Sequence, residues 1–238
     1  MTRNPLLLCL PFAGAGASVF EPWRQFVGDR LDLSVLELPG HERRYNEPLC
    51  HEVMDAVEAI APQACADAGG REIVVLFGHS LGAVLAFELA RKLAALSDPP
   101  EIHLAVSGSP GPWHKREARA SGLADSAFLK QVSSLAGYSH PALDDPDLRE
   151  LLLPILRADV EMHERYAPAI PRPVDFAITC IRGRDDVLVS REDTLQWKAV
   201  TTGETRYVEL PGGHMYLMDD VRPLAATLTD LSRQSEAG

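Results

Sequence analysis

Six short runs rich in apolar and β-branched residues recur along the chain, at residues 6–10, 33–38, 73–77, 102–107, 176–181 and 206–210. Each has the length of a strand and is bounded by turn-forming residues. Helical periodicity fills most of the intervals, at 19–27, 53–68, 83–96, 191–200 and 221–231. Strands alternating with helices predict an α/β fold, a mostly parallel sheet covered by helices on both faces. One interval breaks the rhythm. Roughly seventy residues separate the fourth and fifth runs, with helical patterns at 125–136 and 146–166. Such an insertion belongs above the carboxyl ends of the strands, where ligands bind in open α/β sheets, and it reads as a helical lid spanning 112–171.

The remaining composition narrows the setting. A chain of 238 residues with 46% apolar and 24% charged content suits one globular domain, 1–238, with a substantial core. A net charge of −11 argues against nucleic acid or an anionic membrane as a general partner. Cys9, Cys50, Cys65 and Cys180 show neither close pairing nor metal-like spacing, which fits free thiols in a reducing cytoplasm. The first apolar run stops at Pro11 without a cleavage-like site, so it reads as a strand, and no stretch is long enough to span a bilayer. A monomer is the expected state.

The chemistry begins where the third run ends. Gly78-His79-Ser80-Leu81-Gly82 follows an apolar strand and runs directly into a helix. That context is a nucleophile elbow, in which a sharp turn lifts the Ser80 hydroxyl out of the backbone and flanking glycines admit strand and helix to each other. A triad on this architecture takes its acid and histidine later in the chain. Asp186 after the fifth strand is the chosen acid, with Asp185 in reserve; His214, behind Gly212-Gly213 after the sixth, is the base. The oxyanion would be met by the backbone amide of Leu81 and one from the loop after the first strand, where Ala13 is the best candidate. Gly14-x-Gly16 in that loop also invites a phosphate-binding reading, but neither a third glycine nor a Lys-Ser/Thr pair follows. The other histidines form no ligand set, so neither a metal nor a cofactor is assigned.

Beyond these residues the chain resembles the type II thioesterases, discrete editing hydrolases of polyketide and non-ribosomal peptide synthases. The resemblance is carried by Leu10-Pro11-Phe12-Ala13-Gly14, Phe20-x-x-Trp23, Leu38-Pro39-Gly40-His41-Glu42-Arg43, the Ser80 elbow, residues 153–159, Gly183-x-x-Asp186, Trp197 and Gly212-Gly213-His214. It implies an α/β-hydrolase fold, Ser80, Asp186 and His214 as triad, and the amides of Ala13 and Leu81 as oxyanion hole. It also implies an acyl thioester substrate on the phosphopantetheine arm of an acyl or peptidyl carrier protein. Phe12 and His41 depart from the family's usual polar ring and arginine, and Phe12 is expected to make the pocket mouth more apolar. Leu151, Leu152, Leu153, Ile155, Leu156, Met162 and Tyr166 are candidates to line an acyl channel. Arg43-Arg44 and Lys115-Arg116-x-x-Arg119 are the candidate docking clusters for an acidic carrier. A general carboxylesterase, an acyltransferase, or a non-catalytic ligand-binding protein on the same fold are the competing functions.

Overall fold

The computed structural model describes residues 3–114, 119–136, 141–169 and 172–233; Lys115 and Arg116 of the second basic cluster lie outside these. Six strands form one sheet: β1 (Leu6–Leu10), β2 (Asp32–Val35), β3 (Ile73–His79), β4 (Glu101–Ser107), β5 (Ala177–Gly183) and β6 (Thr205–Leu210). Their order is β2-β1-β3-β4-β5-β6, and every pairing is parallel. The chain runs outward from β1 to β2, then crosses back to lay down β3 on the other side of β1. The loops leaving β1 and β3 therefore meet at the point where strand order reverses, the crevice that open α/β sheets use for ligands. Register brings Leu10 beside Gly78, His79 beside Ser107 and Gly183 beside Leu210, so the carboxyl ends share one rim.

Alternate strand residues divide the core between two faces. Leu6, Leu8, Val74, Leu76, Leu104 and Ile178 pack under α2 (Val53–Ala68) and α3 (Leu81–Ala94), where Trp197 is fully buried. Leu7, Cys9, Val75, Phe77 and Ile181 face Phe20, Trp23 and the Leu224 and Leu228 side chains of the C-terminal helix. Burial on both faces explains why β1, and β3 as far as Phe77, are apolar throughout.

Two predicted helices are broken into shorter pieces. The 19–27 pattern becomes a 3₁₀ segment, Ala17–Trp23, that contains Pro22 and then passes into a single turn, Arg24–Val27. The 191–200 pattern becomes a short helix, Arg191–Leu195, continued as a 3₁₀ segment, Gln196–Val200. The second strand is shorter than its apolar run. Leu36 still donates its amide to Cys9 O at 3.0 Å, after which the chain turns ahead of Pro39 and Gly40.

Between β4 and β5 stand two helices, 125–136 and Pro146–Arg165. The second begins with Pro146, and the Asp145 carboxylate caps the amides of Asp147 and Leu148 at 2.9 and 3.2 Å. Among the described residues no helix is long and apolar enough to cross a membrane.

Phe77 is fully buried and packs edge-on or tilted against Phe20 and Trp23, with ring centroids 6.4 and 5.3 Å away. Phe77→Ala leaves a cavity in the sheet's centre and is expected to lower unfolding free energy by about 3–5 kcal/mol, measured by urea titration.

Candidate active site

Ser80 sits at φ 54°, ψ −113°, in a backbone region that residues with a side chain rarely adopt. Three contacts hold it there. The Ser80 amide donates to Ser107 O at 2.9 Å, the Ala83 amide donates to Ser80 O at 3.1 Å, and α3 starts at the next residue. The glycines are compulsory: a Cβ on Gly78 would lie 1.9 Å from Gly82 O, and one on Gly82 would lie 2.5 Å from Leu10 O. Holding one residue in this conformation costs about 1–3 kcal/mol, which the surrounding packing must over-determine.

His214 and Asp186 arrive from the neighbouring strand ends. His214 Nδ1 and Asp186 Oδ2 are 2.8 Å apart and both side chains are buried. The second Asp186 oxygen accepts the amides of Leu188 and Val189 at 2.8 and 3.0 Å. Burial pushes the Asp186 carboxyl up, but the His214 hydrogen bond and charge, with the two amides, outweigh it and leave its pKa below the ordinary carboxylate value. Asp185 is exposed, and its amide donates to Gly212 O at 2.9 Å. Bonding at Nδ1 leaves His214 Nε2 available, and His214 and Ser80 line the same cavity.

A second histidine lies against the first. His79 is fully buried, its ring centroid 4.8 Å from that of His214. Its Nδ1 is 2.9 Å from Ser107 Oγ, which in turn lies 2.7 Å from the Tyr216 hydroxyl. Burial, reinforced by the His214 charge, pushes the His79 pKa well below the ordinary histidine value. The elbow therefore carries a neutral ring beneath His214, adding no competing positive charge. Phe12 meets His79 edge-on at 6.0 Å and lines the cavity.

The loop after β1 forms a tight turn in which the Ala15 amide donates to Phe12 O at 3.0 Å and Gly14 takes φ +75°. Among the described residues the amides of Ala13 and Leu81 have no protein acceptor, and the Leu81 amide opens the positive end of α3. Gly14 N instead donates to Asp159 Oδ2 at 2.7 Å, and the same oxygen lies 3.1 Å from His41 Nε2. Neither Asp159 nor His41 stands out as functional in the sequence. The available signal was a carboxylate at the spacing of Leu152, Ile155 and Leu156, on the apolar face of a helix.

The cavity has a volume of about 630 Å³ and an apolar wall that includes Val19, Leu129, Val132, Leu143, Leu152 and Leu156. Of the expected channel residues, Leu152, Ile155 and Leu156 line it. Leu151 instead points outward, 67% exposed. Met162 is buried in the sheet's core, and Tyr166 packs against it while its hydroxyl donates to Glu88 at 2.7 Å. Met162 stands between Val160 and His163, which line the cavity, but faces the core instead, and Tyr166 follows the helix end. Arg43 is paired with Glu37 at 2.9 Å, and Arg44 forks onto Glu47 at 2.7 and 2.6 Å, so this basic pair is committed within the chain.

A parallel sheet with a strand–elbow–helix at its switch point and an Asp–His pair on the adjoining rim defines an α/β-hydrolase. The chain belongs to the thioesterase domain family, whose model matches residues 5–232, and is an acyl-thioester hydrolase. It is 30% identical to the gramicidin S biosynthesis protein GrsT of Aneurinibacillus migulanus over 220 residues, covering 90% of this chain and 83% of that protein. The crystal structure of ClbQ from the colibactin NRPS/PKS pathway matches with a TM-score of 0.89 and 29% identity, covering 98% of each chain. BorB, the type II thioesterase of the borrelidin cluster, matches with a TM-score of 0.87 and 28% identity, covering 97% of this chain and 93% of that one.

The depressed Asp186 pKa fixes the sign of an acid effect. The stabilisation is present above the unfolded carboxylate pKa of about 3.9 and is lost as pH falls through the folded value. Chemical denaturation from neutral pH into acid should therefore show a steeper loss of stability in the wild type than in Asp186→Asn. Equal slopes would mean that the carboxylate is not held by His214.

Proposed function

We propose that this enzyme releases acyl groups from the phosphopantetheine arm of an acyl or peptidyl carrier protein, an editing step in polyketide or non-ribosomal peptide synthesis. The observation that carries the reading is one apolar cavity bearing both Ser80 and the Asp186-paired His214, in a chain of the thioesterase family. The relatives' biosynthetic roles support the carrier-bound substrate.

In this mechanism Ser80 Oγ attacks the thioester carbonyl carbon as its proton passes to His214 Nε2. Asp186 keeps Nδ1 protonated and stabilises the imidazolium that forms. Negative charge on the tetrahedral oxygen is met by the amides of Ala13 and Leu81, with the start of α3 adding its dipole. The C–S bond breaks, the carrier thiol leaves with the proton from His214, and the acyl group remains as an ester on Ser80. Water enters, loses a proton to His214 and attacks the same carbon. The ester C–O bond breaks, the proton returns to Ser80, and a free acid departs. A thiolate is a good leaving group, so protonation matters less in the first half than it would for an amine.

The apolar wall suits the hydrocarbon part of an acyl chain, with residues 112–171 acting as its lid. The roughly 630 Å³ volume falls in the range of a small-molecule site.

The test is hydrolysis of a short acyl group presented on a carrier protein, beside the same group as a small oxyester. Release from the carrier should be the faster of the two, and Ser80→Ala should reduce it by roughly 10³-fold or more with the fold retained. Oxyester cleavage beside an untouched carrier would instead identify a general esterase.

A further inference from the structure

The buried contact between the loop after β2 and the long helix before β5 has a chemistry that the triad does not use. His41 is 3% exposed and lies between Pro39 O, 3.0 Å from Nδ1, and Asp159 Oδ2, 3.1 Å from Nε2, both of them acceptors while Asp159 is ionised. A neutral imidazole has a single N–H and can satisfy one of them; an imidazolium satisfies both. Asp159 needs that charge. It is 1% exposed, its Oδ1 has no hydrogen-bond partner, and among the described residues His41 is the cation within ion-pair distance. An isolated carboxylate at such depth would be strongly disfavoured. The oxygen that faces His41 also accepts Gly14 N at 2.7 Å, inside the turn whose first central residue is Ala13.

We propose that His41 is a positioning residue for acyl transfer: as an imidazolium bridging Pro39 and Asp159, it locks the Asp159 carboxylate onto the Gly14 amide and so fixes the turn that presents the Ala13 N–H. The proposal rests on the reading of Ala13 as an oxyanion donor. The Ala13 N–H belongs to the adjoining Phe12–Ala13 peptide, so Asp159 acts on it through the turn: a displacement of the turn breaks the Gly14–Asp159 hydrogen bond, and Asp159 opposes that displacement only while held in place. Leu156 reinforces the arrangement, since its side chain packs where a Cβ on Gly14 would stand.

The groups that set the charge are few. Burial works against protonation of His41, but the Asp159 hydrogen bond and charge, the Pro39 carbonyl and the Glu42 carboxylate outweigh it, and its pKa lies above the ordinary histidine value. The Glu42 carboxylate is itself engaged by Ser18. The Cys50 thiol, raised chiefly by burial and also by the fields of Asp55 and Asp159, adds no charge at neutral pH, and Arg44 is turned onto Glu47. The sign follows. The strut is charged below the raised pKa and is lost as pH rises through it, while His214 must be neutral to act as base.

Two measurements on the full chain test this. An imidazole NMR titration of the wild type, with His41 assigned by comparison with H41Q or D159N, needs no turnover. His41 should stay protonated above the ordinary pKa of about 6.5, and D159N should lower that pKa; a His41 neutral at about pH 6.5 overturns the proposal. The second measurement is kcat and KM for a small acyl thioester from about pH 6 to pH 9. Wild-type kcat should fall on the alkaline side with KM steady, whereas H41Q should lose about tenfold in kcat near neutrality and lack the alkaline fall. D159N should behave likewise and serves if H41Q does not fold. An alkaline limb unchanged in both variants, or a loss confined to KM, would overturn the proposal. A wild type inert toward every thioester would count against the triad instead, and the titration would still decide the charge on His41.

Discussion

The whole site hangs on how closely three backbones pass at the sheet's switch point. β1 ends at Leu10, β3 turns at Gly78, and α3 leaves at Gly82, and the gaps between them are smaller than a methyl group. That closeness forces Ser80 into a positive φ and puts the start of α3 directly behind it. It also brings the turn after β1 within reach of the same cavity. Looser packing would relax Ser80 into an ordinary conformation and move its hydroxyl off the rim. The strain at Ser80 is therefore set by the sheet's topology and maintained by glycines at two positions where nothing larger fits.

Electrostatics then differentiates three histidines of one chemical type. His214 shares a buried hydrogen bond with a carboxylate that two backbone amides hold ionised. His79, fully buried and facing a hydroxyl, is held neutral by desolvation and by its neighbour. His41 is also buried, yet it faces a carboxylate and a carbonyl, and its pKa is raised where that of His79 is lowered. Burial alone would lower the pKa of both His79 and His41. What separates them is whether the facing group can accept a proton's charge. The cavity that His41 and His214 share with Ser80 is lined mostly by apolar side chains.

The long helix before β5 joins cavity to core. One face lends Leu152, Ile155, Leu156, Val160 and His163 to the cavity, and the helix is fastened through Asp159 to Gly14 and His41, and beyond its end through Tyr166 to Glu88. The covering segment and the turn that carries Ala13 are thus mechanically linked, and a displacement of that helix would be felt at the amide.

What local pattern could determine, it did. Buried strands leave apolar runs, and the elbow leaves its glycines, because those constraints act on residues close in sequence. So the strand order of appearance, the helices over 53–68 and 125–136, and Ser80, Asp186 and His214 as neighbours on one rim were all legible. Helix continuity was less so, since Pro22 and the end of Arg191–Leu195 turn on a single residue's geometry. The preference for Asp186 over Asp185 became a contact only when the β5 and β6 loops closed on each other. The fate of Met162 depended on which face of the helix turns to the cavity, since its neighbours Val160 and His163 line it, and Tyr166 falls past the helix end. Asp159 and His41 stand 118 residues apart, and nothing local pairs them. Only the fold brings a carboxylate, an imidazole and the Gly14 amide to one buried point, because a buried charge is tolerable solely where its partner already waits.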